Sequence, residues 1–380
     1  MANKIRPAKG FQDFTGKDAE KKEIIRKTIV NVFETYGFEP AETPVIEYEN
    51  FVKDDNSQDE VISDVFKLKD KGKRKLALRY EFTFQLKRLS KEKKLPYKRY
   101  QIGEVFRDEP ISSNRFRQFT QCDADIVGST IKDEAEILSL TKEILDRLKI
   151  KPIILINNRK LMNEILEEQK ILRNNRDQVL REIDKYDKIG EKEVKKNLRR
   201  LGGEKIIDLL KQGEKYFKKF DSYKEILKLI EYCKMYGFKV SFDPTMVRGL
   251  SYYNGSVFEV KAKGIKETIA AGGSYSIEKQ NATGISFGLE RISVLAKSEV
   301  KKEKNLVISL NQDKEAIKLI KKLRKKGHVV SVYYGKPSKA LEWANSYNYS
   351  KAIFVGEREV KKGKFKVKDL ASGKESNLDL

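Results

Sequence analysis

Histidine is almost absent from this chain of 380 residues, in which His328 is the sole example. A Ser-His-Asp type of active site is therefore excluded unless it is built around that one residue. His328 follows Gly327 and precedes a Val-Val-Ser-Val run, a setting typical of a surface residue at the start of a strand. Any catalysis must accordingly rely on arginine, carboxylates, amides and backbone groups.

Cysteine and long apolar runs are also scarce. Cys122 and Cys233 are too few to form a zinc site or a disulfide framework, so we expect no protein-bound metal and a reducing compartment. No stretch approaches the ~18 consecutive apolar residues of a membrane-spanning helix, and the first nine residues lack an apolar signal segment. These absences predict a soluble, cytoplasmic protein.

Positive charge is in excess, with 80 Lys and Arg against 57 Asp and Glu and a formal net charge of +23. Such an excess attracts nucleic acids, because each phosphate that is neutralised releases condensed counterions. A lysine-rich solvated surface of a heat-adapted protein would give a similar composition. The length suits two or three domains, and the motifs must decide between the two interpretations of the charge.

The first half of the chain shows both helical and strand periodicity. Apolar spacing predicts a helix from Lys17 to Tyr36. Strands are predicted at 41–47, around Pro44, and at 76–80, 97–106 and 118–127, the last two forming a hairpin. Between Pro152 and Pro244 the chain lacks proline, and its Lys, Glu, Leu and Ile residues recur at helical spacing with a break at Gly202-Gly203. This segment is predicted to be a mostly helical insertion.

Strand signals return after the helical segment, at 240–242, 256–260 and 268–271, and a helix is predicted from about Phe287. From residue 304 the signals alternate between strands at 306–310, 329–333 and 352–355 and helices at 313–326 and 338–347, which is typical of a small α/β domain. The predicted organisation is 1–150, first part of the main domain; 151–238, helical insertion; 239–300, second part of the main domain; and 304–380, C-terminal α/β domain.

Arginine and aromatic residues alternate around the predicted hairpin, from Phe106 to Gln121. Arginine suits bidentate phosphate contacts, and an aromatic face can stack on a base. Taken alone, a solvated basic hairpin is an equally good interpretation. Glycine-containing runs with arginine or tyrosine follow later in the chain, at 246–254, 270–275 and 282–291.

The order of these runs resembles that of the class II aminoacyl-tRNA synthetases. The helix and strand around Pro44 are similar to motif 1 of that class, residues 107–125 to motif 2, and Gly288-Leu-Glu-Arg291 to motif 3. Between motifs 2 and 3, Arg248-Gly-Leu-Ser-Tyr-Tyr253 resembles the histidine-specific motif of the histidyl-tRNA synthetase family. Residues 78–83 look like that family's first histidine-binding strand, and the C-terminal segment resembles its anticodon-binding domain.

The resemblance implies an α+β catalytic domain, with an antiparallel sheet flanked by helices, a helical insertion and a C-terminal α/β anticodon-binding domain. It implies an ATP-dependent histidine–tRNA ligase that uses L-histidine, ATP and Mg²⁺ and transfers histidine to the 3′-terminal ribose of tRNA(His). A homodimer is implied through motif 1. Neither DNA nor a membrane is an expected partner.

The resemblance also implies residue roles. Arg107 and Arg248 would be catalytic, holding the α-phosphate from two sides. The implied ATP-binding residues are Arg107, Glu109 near the adenine, Phe119 stacked on it, and Arg115 and Arg291 on the outer phosphates. The implied histidine-binding residues are Arg107, Arg248, Glu81 and Thr83 at the α-amino group, Gln121 at the backbone end, and Asp125 and Tyr253 at the imidazole, with Tyr252 beside them.

The chain departs from the family at a few positions. Ser251 stands where an acidic residue is usual, Ser274-Tyr-Ser276 replaces Arg-Tyr-Asp, and Asp125 replaces a more common Glu. Our interpretation is that a charged pair was lost together, leaving the pocket neutral.

Two alternatives to a histidine-specific enzyme follow. One is a catalytically inactive regulatory or tRNA-binding relative, such as the regulatory subunit of ATP phosphoribosyltransferase. That relative typically lacks the anticodon domain and the ATP-binding arginines. The other is a prolyl or threonyl type of synthetase, against which the Arg248 to Tyr253 run argues; the threonyl type also needs a zinc site.

Overall fold

A computed structural model of the chain describes residues 5–53, 64–112, 115–247, 252–297 and 303–378. The chain divides into two compact units, residues 1–298 and 299–380, and each unit has hydrophobic clusters of its own. Within these ranges, none of the helices combines the length and the apolar character that crossing a membrane requires.

The first unit contains helices and strands in alternation. Its helices are α1 (Gly16–Thr35), α2 (Glu49–Lys53), α3 (Thr83–Ser90), α4 (Ile131–Arg147), α5 (Arg159–Glu168), α6 (Arg173–Asp184), α7 (Tyr186–Ile189), α8 (Glu191–Arg199), α9 (Ile206–Leu210), α10 (Glu214–Phe217), α11 (Asp221–Met235) and α12 (Leu289–Leu295). Its strands are β1 (Glu39–Pro40), β2 (Ile46–Tyr48), β3 (Lys67–Lys69), β4 (Lys75–Leu78), β5 (Tyr97–Phe106), β6 (Gln118–Val127), β7 (Pro152–Asn158), β8 (Ser241–Phe242), β9 (Tyr253–Ala262), β10 (Ala270–Ile277) and β11 (Gln280–Gly288).

An eight-stranded sheet forms the centre of this unit, in the order β1-β5-β6-β11-β10-β9-β7-β8. The two edge strands, β1 and β8, run parallel to their neighbours, and the other neighbouring pairs are antiparallel. The predicted α+β class with flanking helices is confirmed, although the sheet is mixed at its edges rather than wholly antiparallel. Strands β2, β4 and β3 form a separate small sheet.

Helices cover one face of the large sheet. Helix α1 buries Ile25, Ile29, Val32 and Phe33, which recur at helical spacing and pack into the same cluster as Ile126 of β6. Burying each such side chain stabilises the unit by about 1.5–3 kcal/mol. The opposite face of the sheet is therefore the one on which polar side chains can line a site.

Three sequence predictions were wrong in this unit. Of the strand expected at 41–47, only residues 46 and 47 are in a strand, β2, because Pro44 lacks the N–H that a continuous ladder needs. The strand expected through 76–80 ends at Leu78, and the chain then turns into α3 at Thr83, so residues 78–83 are not one strand. Residues 152–158, expected within the mostly helical insertion, form β7 of the large sheet instead, whereas the helical character is confirmed from Arg159 to Met235.

The second unit is a five-stranded sheet with helices on both faces. Its elements are β12 (Lys304–Ser309), α13 (Asp313–Lys325), β13 (Val329–Tyr334), α14 (Pro337–Ser346), β14 (Lys351–Val355), α15 (Glu357–Lys362), β15 (Lys366–Asp369) and β16 (Glu375–Asn377). The strand order is β13-β12-β14-β15-β16, with the first three strands parallel. The predicted β/α alternation is confirmed from β12 to β14, and His328 is exposed directly before β13. The short elements α15, β15 and β16 were not predicted.

Candidate active site

Strand β6 presents polar side chains to the face of the large sheet opposite helix α1. Cys122, Ala124 and Ile126 point into the helix-covered core, so Gln121, Asp123 and Asp125 point to the other face. The neighbouring strand β11 places Gly284 opposite Asp125. A Cβ atom at Gly284 would lie 2.7 Å from Cγ of Asp125, so this close approach requires glycine.

Arg107 lies at the end of β5, between two aromatic rings. Its guanidinium carbon is 4.3 Å from the ring centroid of Tyr80 and 5.0 Å from that of Phe119. Nη2 donates to Oε1 of Gln121 at 3.3 Å, and Nε donates to the Tyr80 carbonyl at 3.4 Å. Cation–π contacts and hydrogen bonds together fix the plane of the guanidinium, which leaves a preorganised donor for an anionic group.

The other hairpin arginines divide between two carboxylates. Glu109 is buried, pairs with Arg115, and lies 3.9 Å from Nη1 of Arg107. Arg117 pairs instead with Asp108 at 3.0 Å and donates through Nε to the Glu109 carbonyl at 3.3 Å. The Glu109 carboxylate thus lies close to both Arg107 and Arg115, whereas Arg117 pairs with Asp108.

Asp125 is held by two groups that are remote in sequence. Tyr275 donates its hydroxyl hydrogen to Oδ1, and Nη2 of the fully buried Arg99 lies 3.1 Å from Oδ2. Burial raises the pKa of Asp125 above its ordinary value, and the Arg99 charge and the Tyr275 hydroxyl oppose that rise. The two partners fix the carboxyl in one orientation at the floor of the site.

Three tyrosines form a wall beside Asp125. Tyr252 and Tyr253 have ring centroids 4.7 Å apart, and Tyr252 meets Tyr275 edge-to-face at 5.6 Å. Tyr253 and Tyr275 also belong to one buried apolar cluster on this face. The rings restrict the width of the pocket, and the Tyr275 hydroxyl contacts the Asp125 carboxyl.

Two further carboxyls lie in the same region. Burial raises the pKa of Glu81 to about 7, although the Arg107 charge opposes the rise. Burial, and next the neighbouring Asp125, raises the pKa of Asp123 to about 7. Nε2 of Gln121 donates to Oδ2 of Asp123 at 2.9 Å, so hydrogen bonds connect Asp123 to Arg107.

Several buried polar atoms here have no hydrogen-bond partner in the described part of the chain. They are Oε1 of Glu81, both amide atoms of Gln85, Nε and Nη1 of Arg99, Oε1 of Gln101, Oδ1 of Asp123, and Oδ2 of Asp125, which has only its ion pair with Arg99. Each buried polar group without a hydrogen bond lowers the stability of the folded state by about 1–3 kcal/mol. A polar ligand or ordered water is therefore needed to form hydrogen bonds with these atoms. Acids inside the pocket and Arg107 beside them suit a small ligand that carries a cationic group and a phosphate.

The other residues implied by the resemblance are Thr83, Arg291 and Arg248. Thr83 begins α3, two residues after Glu81. Arg291 lies in the first turn of α12 and donates through Nη1 to the Thr268 carbonyl at 2.9 Å. Arg248 and Ser251 lie outside the residues that the structure describes.

Ser274 lies on the other side of the sheet from the pocket. It pairs in register with Thr283, which in turn pairs with the core residue Ile126, and its hydroxyl donates to Glu134 of α4. Ser274 therefore does not line the pocket, and the loss of a charged pair from the pocket stays a prediction, because Ser251 lies outside the described residues. Ser276 accepts a hydrogen bond from Nδ2 of Asn254 at 2.5 Å, at an exposed position.

The sequence reasoning missed Tyr80, Arg99, Asp123 and Tyr275. Asp123 could have been found, because it lies two residues from both Gln121 and Asp125 and must share their face of the strand. Tyr275 lies within the glycine-rich run at 270–275, but only the register of β10 and β11 brings it to Asp125. Arg99 is opposite Asp125 in the β5–β6 ladder, a pairing that needs the hairpin register.

The mixed sheet with its motif 2 hairpin, the Gly-Leu-Glu-Arg strand–helix junction and the separate C-terminal α/β unit define a class II aminoacyl-tRNA synthetase. The family model for histidyl-tRNA synthetase matches residues 10–292, and the model for the anticodon binding domain matches residues 304–380. The chain therefore belongs to the histidyl-tRNA synthetase family.

Similar proteins cover nearly the whole chain. Histidine–tRNA ligase 2 of Shouchella clausii is 32% identical over 413 residues, with 97% of each chain covered. The crystal structure of histidyl-tRNA synthetase from Nostoc sp. PCC 7120 has a TM-score of 0.84 at 26% identity, covering 98% of this chain and 96% of that one. A Bacillus halodurans structure described as an ATP phosphoribosyltransferase regulatory subunit/histidyl-tRNA synthetase shares the fold, with a TM-score of 0.79 at 22% identity and coverage of 93% and 99%.

Proposed function

We propose that this protein attaches histidine to tRNA(His) in two steps. The histidine carboxylate attacks the α-phosphorus of ATP, which gives histidyl-adenylate and releases pyrophosphate. The 3′-terminal ribose hydroxyl of the tRNA then attacks the acyl carbon and releases AMP. The observation that carries the proposal is the buried polar pocket in which Asp125, fixed by Tyr275 and Arg99, shares a strand face with Gln121, the partner of Arg107.

The pocket chemistry suits histidine. Neutral imidazole has one donor and one acceptor nitrogen. A carboxylate can accept a hydrogen bond from the first, and a phenol can donate one to the second. We assign these roles to Asp125 and Tyr253, with Tyr252 beside them. Glu81 and Thr83 are assigned to the α-ammonium group and Gln121 to the backbone end of the substrate.

The arginines suit the nucleotide. Negative charge grows around the α-phosphate in the transition state, and preorganised guanidinium groups lower that barrier. We assign Arg107 and Arg248 to this role. The proposed ATP-binding residues are Arg107, Glu109, Arg115, Phe119 and Arg291, with Phe119 stacking on the adenine.

ATP is proposed to enter as its Mg²⁺ complex, with the metal carried on the phosphates as part of the substrate. Across the described ranges, groups of three or more His, Cys, Asp or Glu side chains able to hold a metal ion are absent. The C-terminal unit, residues 304–380, is assigned to anticodon binding. We further propose a homodimer formed through the motif 1 region, including α1, and action in the cytoplasm, where tRNA is charged.

The alternative function is a regulatory or tRNA-binding protein without catalysis. The fold does not exclude it, because the Bacillus halodurans structure has the same architecture. The arrangement of Arg107 between Tyr80 and Phe119, with Gln121 as its hydrogen-bond partner, favours the enzyme. A binding-only protein would need no such fixed guanidinium beside unsatisfied carboxyls.

Histidine-dependent exchange of pyrophosphate into ATP, without tRNA, tests the function. We expect exchange with histidine and only background with proline or threonine. Arg107→Ala should reduce it on the order of 10²-fold or more, because a transition-state donor is lost. Arg117→Ala is the matched control from the same hairpin, and it should keep most of the activity. Absence of exchange in the folded wild-type protein would favour the regulatory function.

A further inference from the structure

Glu290, the acidic residue of the Gly-Leu-Glu-Arg run, contacts the start of β6 rather than the pocket. Both of its carboxylate oxygens accept from the backbone N of Thr120, at 3.1 and 3.0 Å. Its side chain is only 8% exposed. A buried carboxylate that receives a backbone N–H from a strand 170 residues earlier must restrict where that strand can lie.

The ladder between β11 and β6 explains why a side chain is needed at this point. β11 ends at Gly288, which is opposite Gln121, so the ladder stops one residue short of Thr120. Glu290, two residues after Gly288, supplies an acceptor where the next strand carbonyl would have been. Helix α12 thus continues the hydrogen-bonding of the sheet through a side chain.

The same carboxylate is tied to helix α1. Nζ of Lys22 lies 2.7 Å from Oε1 of Glu290 and 3.8 Å from the ring centroid of Phe14. A cavity of about 330 Å³ adjoins this group and is lined in part by Lys22, Thr120 and Leu289. Packing therefore leaves this side of β6 partly unsupported, which increases the importance of the hydrogen bonds from Glu290.

We propose that Glu290 is a positioning residue for adenylation, which fixes the backbone at Thr120 so that Phe119 and Gln121 are held around Arg107. Phe119 and Gln121 flank Thr120 and are the two residues of β6 that contact the Arg107 guanidinium. A displacement of this backbone by about 1 Å would misplace both contacts at once. This inference rests on the proposed function of Arg107.

Two conservative variants separate the effect of the length of the Glu290 side chain from the effect of its charge. Glu290→Gln keeps the length of the side chain and an oxygen acceptor, whereas Glu290→Asp keeps the charge but withdraws it by one methylene. We expect the Asp variant to lose roughly 10- to 100-fold in kcat for histidine-dependent exchange, with little change in the KM for ATP. The Gln variant should stay within a few-fold of wild type. If Asp retains more activity than Gln, neutralisation of Lys22 is what matters and the positioning role is overturned.

Hydrogen exchange provides a readout that does not depend on catalysis. Amides of residues 118–122 should exchange faster in Glu290→Asp than in wild type, and Glu164→Ala is the matched control. Glu164 also accepts a backbone N–H, from Ser222 at 3.4 Å, but within the helical segment. Its loss should lower the melting temperature without lowering kcat per folded molecule. Unchanged hydrogen exchange at residues 118–122 in Glu290→Asp, or a wild-type kcat in that variant, would overturn the proposal. If the wild type catalyses no pyrophosphate exchange but hydrogen exchange at 118–122 is faster in Glu290→Asp, only the proposed function is contradicted.

Discussion

At the scale of single residues, burial raises the pKa of Glu81 and of Asp123 to about 7. Glu81 has a pKa of about 7 because burial disfavours its charged form. The α-ammonium group of histidine, which we assign to Glu81, prefers the carboxylate. In the empty pocket a proton therefore competes with the substrate below pH 7, and this competition disappears as the pH rises.

We predict that the KM for histidine falls roughly tenfold between pH 6 and pH 8 through Glu81 alone. The imidazole of the substrate, with a pKa near 6.5, adds a dependence of its own in the same direction. Steady-state exchange kinetics of wild type and Glu81→Gln separate the two effects. The variant should bind histidine more weakly at every pH but show a smaller pH dependence. Parallel pH profiles would remove Glu81 from the ammonium site.

The strand elements show how far the sequence alone determines this fold and site. Strands β5 and β6 both have the predicted bounds, and polar and apolar residues alternate in β6 from Gln121 to Ile126. The same alternation is sufficient to place Gln121 and Asp125 on one face of β6. The partners of Asp125 are different, because Arg99 and Tyr275 reach it only through strand register. Register depends on turns and on packing across the whole sheet, which local periodicity does not contain.

Helix α4 contributes Glu134, a half-buried residue whose Oε2 atom is buried, to the covered face of the sheet. Burial raises the pKa of Glu134 above its ordinary value, although hydrogen bonds from Ser256 and Ser274 oppose the rise. The native state therefore binds the Glu134 proton more tightly than the unfolded chain does. The resulting stabilisation is complete below the unfolded pKa of this group and is lost as the pH rises through its native pKa.

We predict that Glu134→Gln removes this loss and raises the Tm by roughly 2–4 °C at pH 8, with little gain at pH 4. The serine hydroxyls can rotate to accept from the new amide, so the hydrogen bonds are kept. Glu136→Gln is the matched control on the same helix, because Glu136 is less buried and pairs with Lys98 at 2.6 Å. Thermal melts of both variants across pH provide the measurement. An equal effect of both substitutions would show that burial of Glu134 is not the cause.

At the scale of the whole molecule, the candidate site and the anticodon-binding match fall in different units. The residues from Glu81 to Tyr275 that form the candidate site lie in the first unit, and the anticodon-binding model matches residues 304–380 of the second. The hydrophobic clusters follow the same division, since the main core ends at Ala296 and two others are confined to residues after 305. Among the described residues, each unit thus has core clusters built from its own side chains, as a separate domain does.

We predict that a chain ending at residue 298 keeps histidine-dependent exchange within a few-fold of the full chain. Its charging of tRNA should fall on the order of 10²-fold, because a second binding module raises the overall affinity by a factor of this size. The full chain, with its formal net charge of +23, should also lose affinity for tRNA steeply as salt increases. The measurement compares rates of pyrophosphate exchange and of tRNA aminoacylation between the full chain and the truncated chain. Melting curves establish that both are folded. If a folded truncated chain loses both activities equally, the second unit supports adenylation as well, and the division of labour between the units is wrong.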